Sequence, residues 1–157
     1  MLQDNGLLPP GLHVVTEQQF RDFFVSPFPA ASSRHRLFLR WERHKAAISS
    51  IIPIEKQWID GSFVTNRANP RDIDVVNFIS ADDIDKLTLG QQALLENLVA
   101  GHDTRDVWGI DSFLVPVVPD GDPRRPLTKK QENYWQDLFS RVRDDDSIRK
   151  GFLEVAG

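Results

Sequence analysis

An α+β domain is the fold class this sequence predicts, and three observations carry the prediction. The chain has 157 residues, 40% hydrophobic and 27% charged, a size and balance that suit one domain with its own core. Strand-like runs stand at positions 55–60, 72–79 and 110–118, the second rich in β-branched residues. Around them lie stretches with apolar residues at three- and four-residue spacing, as a helix with one buried face requires.

Taken in order, residues 1–15 read as an extended arm, because Pro9 and Pro10 fix φ and lack amide donors. Thr16 opens a short helix over 17–25, with Gln19 at capping-box spacing, ended by Pro27 and Pro29. Ser32 or Ser33 caps a helix over 34–51, whose stripe is Leu37, Trp41, Ala47, Ile48 and Ile51. The strand at 55–60 ends in Gly61-Ser62, and positions 65–70 are turn-rich, with Asn66, Asn69 and Pro70. After the strand at 72–79 come helices over 80–86 and 90–100, the second presenting Leu94, Leu95, Leu98 and Val99. The third strand closes at Pro119-Asp120-Gly121. A last helix is expected over 129–143, with Thr128 and Gln131 at capping-box spacing. Positions 144–157 read as a tail, with a short strand at 152–155.

Composition excludes several classes. There are no cysteines, hence no disulfide scaffold, cysteine-type zinc finger or thiol nucleophile. A net charge of −4 argues against a nucleic-acid coat while leaving room for a local basic groove. No apolar run approaches the ~18 residues of a membrane span. The first residues carry neither a basic region nor an apolar stretch, so no signal peptide and a cytoplasmic location are expected.

The chemistry concentrates in Trp58-Ile59-Asp60-Gly61-Ser62 and, nine residues on, Asp72-Ile73-Asp74-Val75-Val76. In a strand, Asp72 and Asp74 point to one face, about 6–7 Å apart along the backbone. Two carboxylates so placed repel each other unless a cation compensates. Hard divalent ions take such oxygens, and a pair of ions can clamp a phosphoryl displacement. A third carboxylate usually completes that arrangement. Asp111, opening the next strand, is the best candidate, and Asp103 or Asp106 are alternatives. Gly61 lets backbone approach a phosphate closely, and Ser62 adds a hydroxyl and an amide to an anion-cradling turn.

Gly61-Ser62 followed by Asp72-Ile73-Asp74 resembles the nucleotidyltransferase superfamily of the DNA polymerase β type. That resemblance implies a nucleotidyltransferase fold: a small mixed sheet with acids on one face and helices flanking it. It also implies that Gly61 and Ser62 hold the triphosphate of a nucleoside triphosphate. Asp72, Asp74 and Asp111 would bind two magnesium or manganese ions, and Asp111 would help activate the attacking hydroxyl. The acceptor would be a protein side chain, an RNA end or a small molecule. More narrowly, the chain resembles small stand-alone bacterial proteins of this kind. These share the Leu-Pro-Pro-Gly arm, the Trp-Ile-Asp-Gly-Ser-Phe-Val-Thr stretch, an aromatic helix like Tyr134-Trp135 and a Lys-Gly pair like Lys150-Gly151. Minimal members from toxin–antitoxin pairs carry Arg after Gly-Ser, and here Phe63 stands in that place. The alternative reading is therefore a regulatory protein of that fold, partnered by a neighbouring gene's product in toxin–antitoxin or phage defence.

Other residues have two readings each. Arg67 and Arg71, between the motif halves, could reach triphosphate oxygens. Arg34, Arg36, Arg40, Arg43 and Lys45 give one helix a basic face, either solvated or open to phosphate or RNA. Arg124, Arg125, Lys129 and Lys130 divide between a solvated loop and an anion site. Asp60 reads as a structural turn acid. His13, His35, His44 and His102 lack zinc spacing and read as surface or satisfied groups. Trp108 is the aromatic kept as a possible base contact.

Overall fold

The computed structural model describes residues 1–157. In chain order it has β1 (Gly11–Val15), α1 (Glu17–Phe24), α2 (Ser33–Ser49), β2 (Lys56–Asp60), β3 (Ile73–Ser80), α3 (Ala81–Asp85) and α4 (Leu89–Leu98). There follow α5 (Arg105–Trp108), β4 (Ile110–Val117), α6 (Arg125–Phe139), β5 (Arg141–Val142), β6 (Asp145–Arg149) and β7 (Gly151–Ala156). The five-stranded sheet runs β1-β7-β2-β3-β4, while β5 and β6 form a separate hairpin. The sheet is mixed: β1 is parallel to β7 and β3 to β4, and β2 is antiparallel to both neighbours. The α+β expectation therefore holds.

Side-chain alternation gives the sheet two covered faces. Ile59, Ile73, Val75, Leu153 and Val155 pack against Phe20 and Phe24 of α1 and Leu37, Phe38 and Trp41 of α2. The opposite face carries Trp58, Val76, Phe78, Val115 and Phe152, covered by Phe139 and the partly buried Trp135 of α6. Ile48, Ile52, Ile54, Ile79 and Leu95 form a third cluster, where α4 joins the core. A polar thread crosses the first face without orphaned groups. The Trp41 indole donates to Gln57, the Gln57 amide to Asn77, and the Asn77 amide to the Ser112 hydroxyl and the Phe113 carbonyl. Buried polar groups paired in this way fix strand register as well as stability.

The early helices fall where their caps predict. Thr16 and Gln19 form the reciprocal capping box of α1, and the Ser32 hydroxyl caps α2. Four expectations need correction. The arm at 1–15 ends in β1, an edge strand that pairs with β7 along its whole length. The tail at 144–157 contains β6 and β7, and β7 lies inside the sheet between β1 and β2. The last helix begins at Arg125, four residues before the expected 129, and ends at Phe139 rather than 143. Pro126 sits in its first turn, where a missing amide costs nothing. Thr128 is accordingly no cap: its hydroxyl donates to the Pro116 carbonyl and accepts from the Val118 amide, tying α6 to β4. Finally, the apolar face expected near α4 holds at Leu95, Leu98 and Val99, which pack on the third cluster, while Leu94 is exposed. No helix is long and apolar enough to cross a membrane.

Candidate functional site

Three aspartates lie side by side across three strands. Register pairs Asp60 of β2 with Asp74 of β3, and Asp74 with Asp111 of β4. Neighbouring strands are about 4.8 Å apart, so the carboxylates form a row at the sheet end where β2 stops and β3 and β4 begin. They share the α6 side of the sheet with Trp58 and Val76, by alternation. Asp72 lies just ahead of β3, so the strand expected from 72 begins one residue later, at Ile73. Its carboxylate still reaches the cluster, as its contact with Arg105 proves.

Each end of the row has its own cation. Lys150, just before β7, donates to Asp60 and, at 3.0 Å, to the Phe139 carbonyl. This pair is almost wholly buried. Burial pushes the Asp60 carboxyl up, against the pull of Lys150. Asp60 is thus a strand residue spent on a structural ion pair, not a turn acid. At the other end, Arg105 of α5 donates through Nε to Asp111 Oδ1 at 2.7 Å and through Nη2 to Asp111 Oδ2. The same Nε lies 3.2 Å from Asp72 Oδ2. His102 Nδ1 adds a contact to Asp111 Oδ2 at 2.9 Å. Burial acts to raise the Asp111 carboxyl, and Arg105 and His102 override it, so its pKa is lowered. Asp72 is raised by burial and by the Asp111 charge, with Arg105 and Arg71 opposing. Asp74, in the middle, has no cation in contact. Burial first, then the charges of Asp72 and Asp111, push it up to about 7.

The turn after β2 completes the site. Gly61 has φ +88°, and a Cβ there would stand 2.9 Å from Asp74 Oδ2. Only glycine combines that conformation with that approach. Residues Ser62–Val64 form a 3-10 turn in which the Val64 and Thr65 amides bond back to the Gly61 and Ser62 carbonyls. The Ser62 and Phe63 amides make no hydrogen bond within the protein.

Arg34 of α2 holds this loop from behind. It is fully buried and donates to the carbonyls of Phe24, Ser62, Phe63, Thr65 and Arg67 at 2.6–3.4 Å. Its guanidinium stacks 3.9 Å from the Phe28 ring centroid. All these partners are neutral, and burial lowers its pKa to about 10. Loop carbonyls drawn inward in this way leave amides such as those of Ser62 and Phe63 unspent.

Asp72, Asp74, Asp111, Gly61 and Ser62 are therefore brought together as expected. Arg71 is exposed, and its charge acts on Asp72. Arg67 enters through its carbonyl, which Arg34 binds. The expected basic face of α2 is reduced to Arg36, Arg40 and Arg43, which remain at the surface. Arg34 is internal and Lys45 is buried against Glu17 and the Ala156 carbonyl. Arg124 is engaged by Asp122 and Asp82, and Arg125 by Asp120 and the Val118 carbonyl, rather than left free for an anion. Trp108, the possible base contact, is partly buried and packs edge-on against the buried His44 and onto the core. His102 is a surface group, as expected, and its Nδ1 also meets the acid cluster at Asp111. Arg105 and Lys150 were not legible as site residues. Lys150 stood out only in a Lys-Gly pair without a role, and Arg105 lies in a mixed polar loop with no pattern.

The donor types suit a hard divalent cation. No three acidic or imidazole groups stand close enough to grip one as they are, and Arg105 is the cation that Asp72 and Asp111 meet.

The fold and the site together define an α+β protein with a row of aspartates at one end of a mixed sheet, flanked by one buried cation, Lys150, and one partly exposed cation, Arg105. The chain belongs to a family of unknown function, DUF6932, whose model matches residues 1–156. No curated protein and no solved structure matches the chain.

The pair at the closed end gives a direct stability test. Lys150→Met is expected to cost about 2–3 kcal/mol at pH 8 in urea unfolding, because it strands the Asp60 carboxylate inside. Lowering the pH toward 5 should recover much of that loss, as Asp60 escapes by taking a proton. Equal losses at both pH values would refute the account.

Proposed function

We propose that the protein is a metal-dependent nucleotidyltransferase, moving a nucleoside monophosphate from a nucleoside triphosphate to an acceptor hydroxyl. The observation that carries this reading is the alignment of Asp74 with Asp111 on adjacent strands, with the Gly61 turn lying against Asp74. The glycine-serine and Asp-Ile-Asp resemblance supports it independently. Asp72, Asp74 and Asp111 would hold the magnesium or manganese ions, whose bound charge would neutralise the phosphates. The Ser62 and Phe63 amides and the Ser62 hydroxyl would donate to the triphosphate oxygens, and Arg71 would add charge from the loop. The acceptor oxygen forms a bond to the α-phosphorus as the bond to the bridging oxygen breaks. Pyrophosphate leaves and the hydroxyl proton is lost to solvent. Positioning and charge neutralisation supply most of the rate in such a site.

A second reading, a catalytically inactive interaction protein of the same fold, is favoured by one observation: Arg105 occupies two of the three carboxylates. Label transfer decides between them. The protein is incubated with each α-labelled nucleoside triphosphate, manganese, and extract containing RNA and protein. Label in either acceptor, lost in Asp72→Ala/Asp74→Ala, is the expected result. No transfer and no metal-dependent nucleotide binding would leave the interaction protein.

A further inference from the structure

The two cations of the aspartate row are held differently. Lys150 is buried, with its ammonium bonded to both Asp60 and the Phe139 carbonyl. It has no route to solvent that keeps those bonds. Arg105 binds the other end with a side chain that is 46% exposed. Its backbone, by contrast, is fixed. Thr104, beside it, is buried, and its hydroxyl donates to the Ile110 carbonyl at 2.6 Å and accepts from the Ser112 amide at 3.1 Å. Gly101 and Ser112 are joined by a bridge as well. The guanidinium can therefore leave by rotation of its own side chain, with no loop movement. Leaving alone would be unfavourable, since Asp72, Asp74 and Asp111 would then face one another without a cation.

We propose that Arg105 is a resident cation of the acid cluster, which a divalent metal ion displaces as it takes Asp72, Asp74 and Asp111. This rests on the transferase reading for the identity of the cluster as a metal site. It adds that the site is closed by the chain itself until the metal arrives. Metal entry is then an exchange of one cation for another of higher charge. His102 moves with the exchange, since its only contact with the acids is to the same Asp111 oxygen that Arg105 holds. The displaced guanidinium remains at the rim of the site, anchored through the fixed backbone of α5.

The test is manganese binding without nucleotide, read as loss of the free-ion signal in electron paramagnetic resonance at pH 8. Arg105→Met removes the competitor and is expected to bind manganese at least about tenfold more tightly than the unaltered protein. Asp74→Asn in the Arg105→Met background should abolish the gain, which locates it in the cluster. Arg105→Met without metal should melt at a lower temperature than the unaltered protein, and manganese should restore it. Arg105→Met binding manganese no more tightly than the unaltered protein overturns the proposal. So does a gain that survives Asp74→Asn. Because no nucleotide is present, the label-transfer experiment can fail while displacement stands, and displacement can fail while transfer is seen.

Discussion

Asp74→Asn is expected to abolish nucleotidyl transfer and to stabilise the folded protein at alkaline pH. The two effects have one cause. Asp74 sits in the middle of the row, half-buried, between two other carboxylates, and its pKa is pushed up to about 7. An unfolded aspartate titrates near 3.9. Between those values the folded chain holds the proton more tightly than the unfolded one. Stability contributed by this residue is therefore present below about pH 4, falls as the pH rises toward 7, and stays low above it. Asparagine is neutral throughout and keeps a similar shape. The substitution should gain about 1–3 kcal/mol in urea unfolding at pH 8 and little at pH 4. Transfer should fall by about 10³ or more, because a central charge for metal and phosphate is lost. A variant no more stable at pH 8 than the unaltered protein would show that Asp74 is already compensated. Unchanged transfer would remove the carboxylate row from the mechanism. The trade of stability for a concentrated charge is characteristic of sites that bind cations.

What could be read from the sequence at this site was what short range dictates. Asp72 and Asp74 share a side because alternate strand residues do, and Gly61 announces a turn because few other residues adopt its φ. Asp111 was reachable because it opens a strand. The partners of these acids were not legible, because each arrives from a distant part of the chain through the fold. Lys150 meets Asp60 across 90 positions. Arg105 is near Asp111 in sequence, yet its role depends on the left-handed turn at Gly109, which sends β4 back beside α5. The same limit explains β7. Its six residues look like a terminal strand of little consequence, and only the pairing of Leu153 with Ile59 and of Leu12 with Phe152 places it inside the sheet. The basic character of α2 misled for a related reason. Charges at 34, 36, 40, 43 and 45 look like one surface, but Arg34 and Lys45 point into the protein because carbonyl and carboxylate partners wait there.

Arg34→Met should be the most destabilising single change in this region, at about 3–5 kcal/mol in urea unfolding. Methionine fills much of the volume, so the loss is not chiefly a cavity. It comes from the buried carbonyls of Phe24 and Phe63 and the part-buried ones of Thr65 and Arg67, all of which would lose their donor. An unpaired buried carbonyl costs about 1–3 kcal/mol before relaxation, and the loop will relax to reduce that sum. Arg34→Lys retains the charge but not the planar fork that reaches several acceptors at once, nor the stack on Phe28, so it should recover less than half of the loss. Hydrogen exchange gives the local signature. Amides at 64–67 should exchange faster in Arg34→Met than those of β3 measured in the same sample, under conditions where the protein remains folded. A loss below about 1 kcal/mol would mean that the loop finds its own bonds without the guanidinium. The expected result would instead show that Arg34 holds the glycine-serine loop in place by drawing its carbonyls inward.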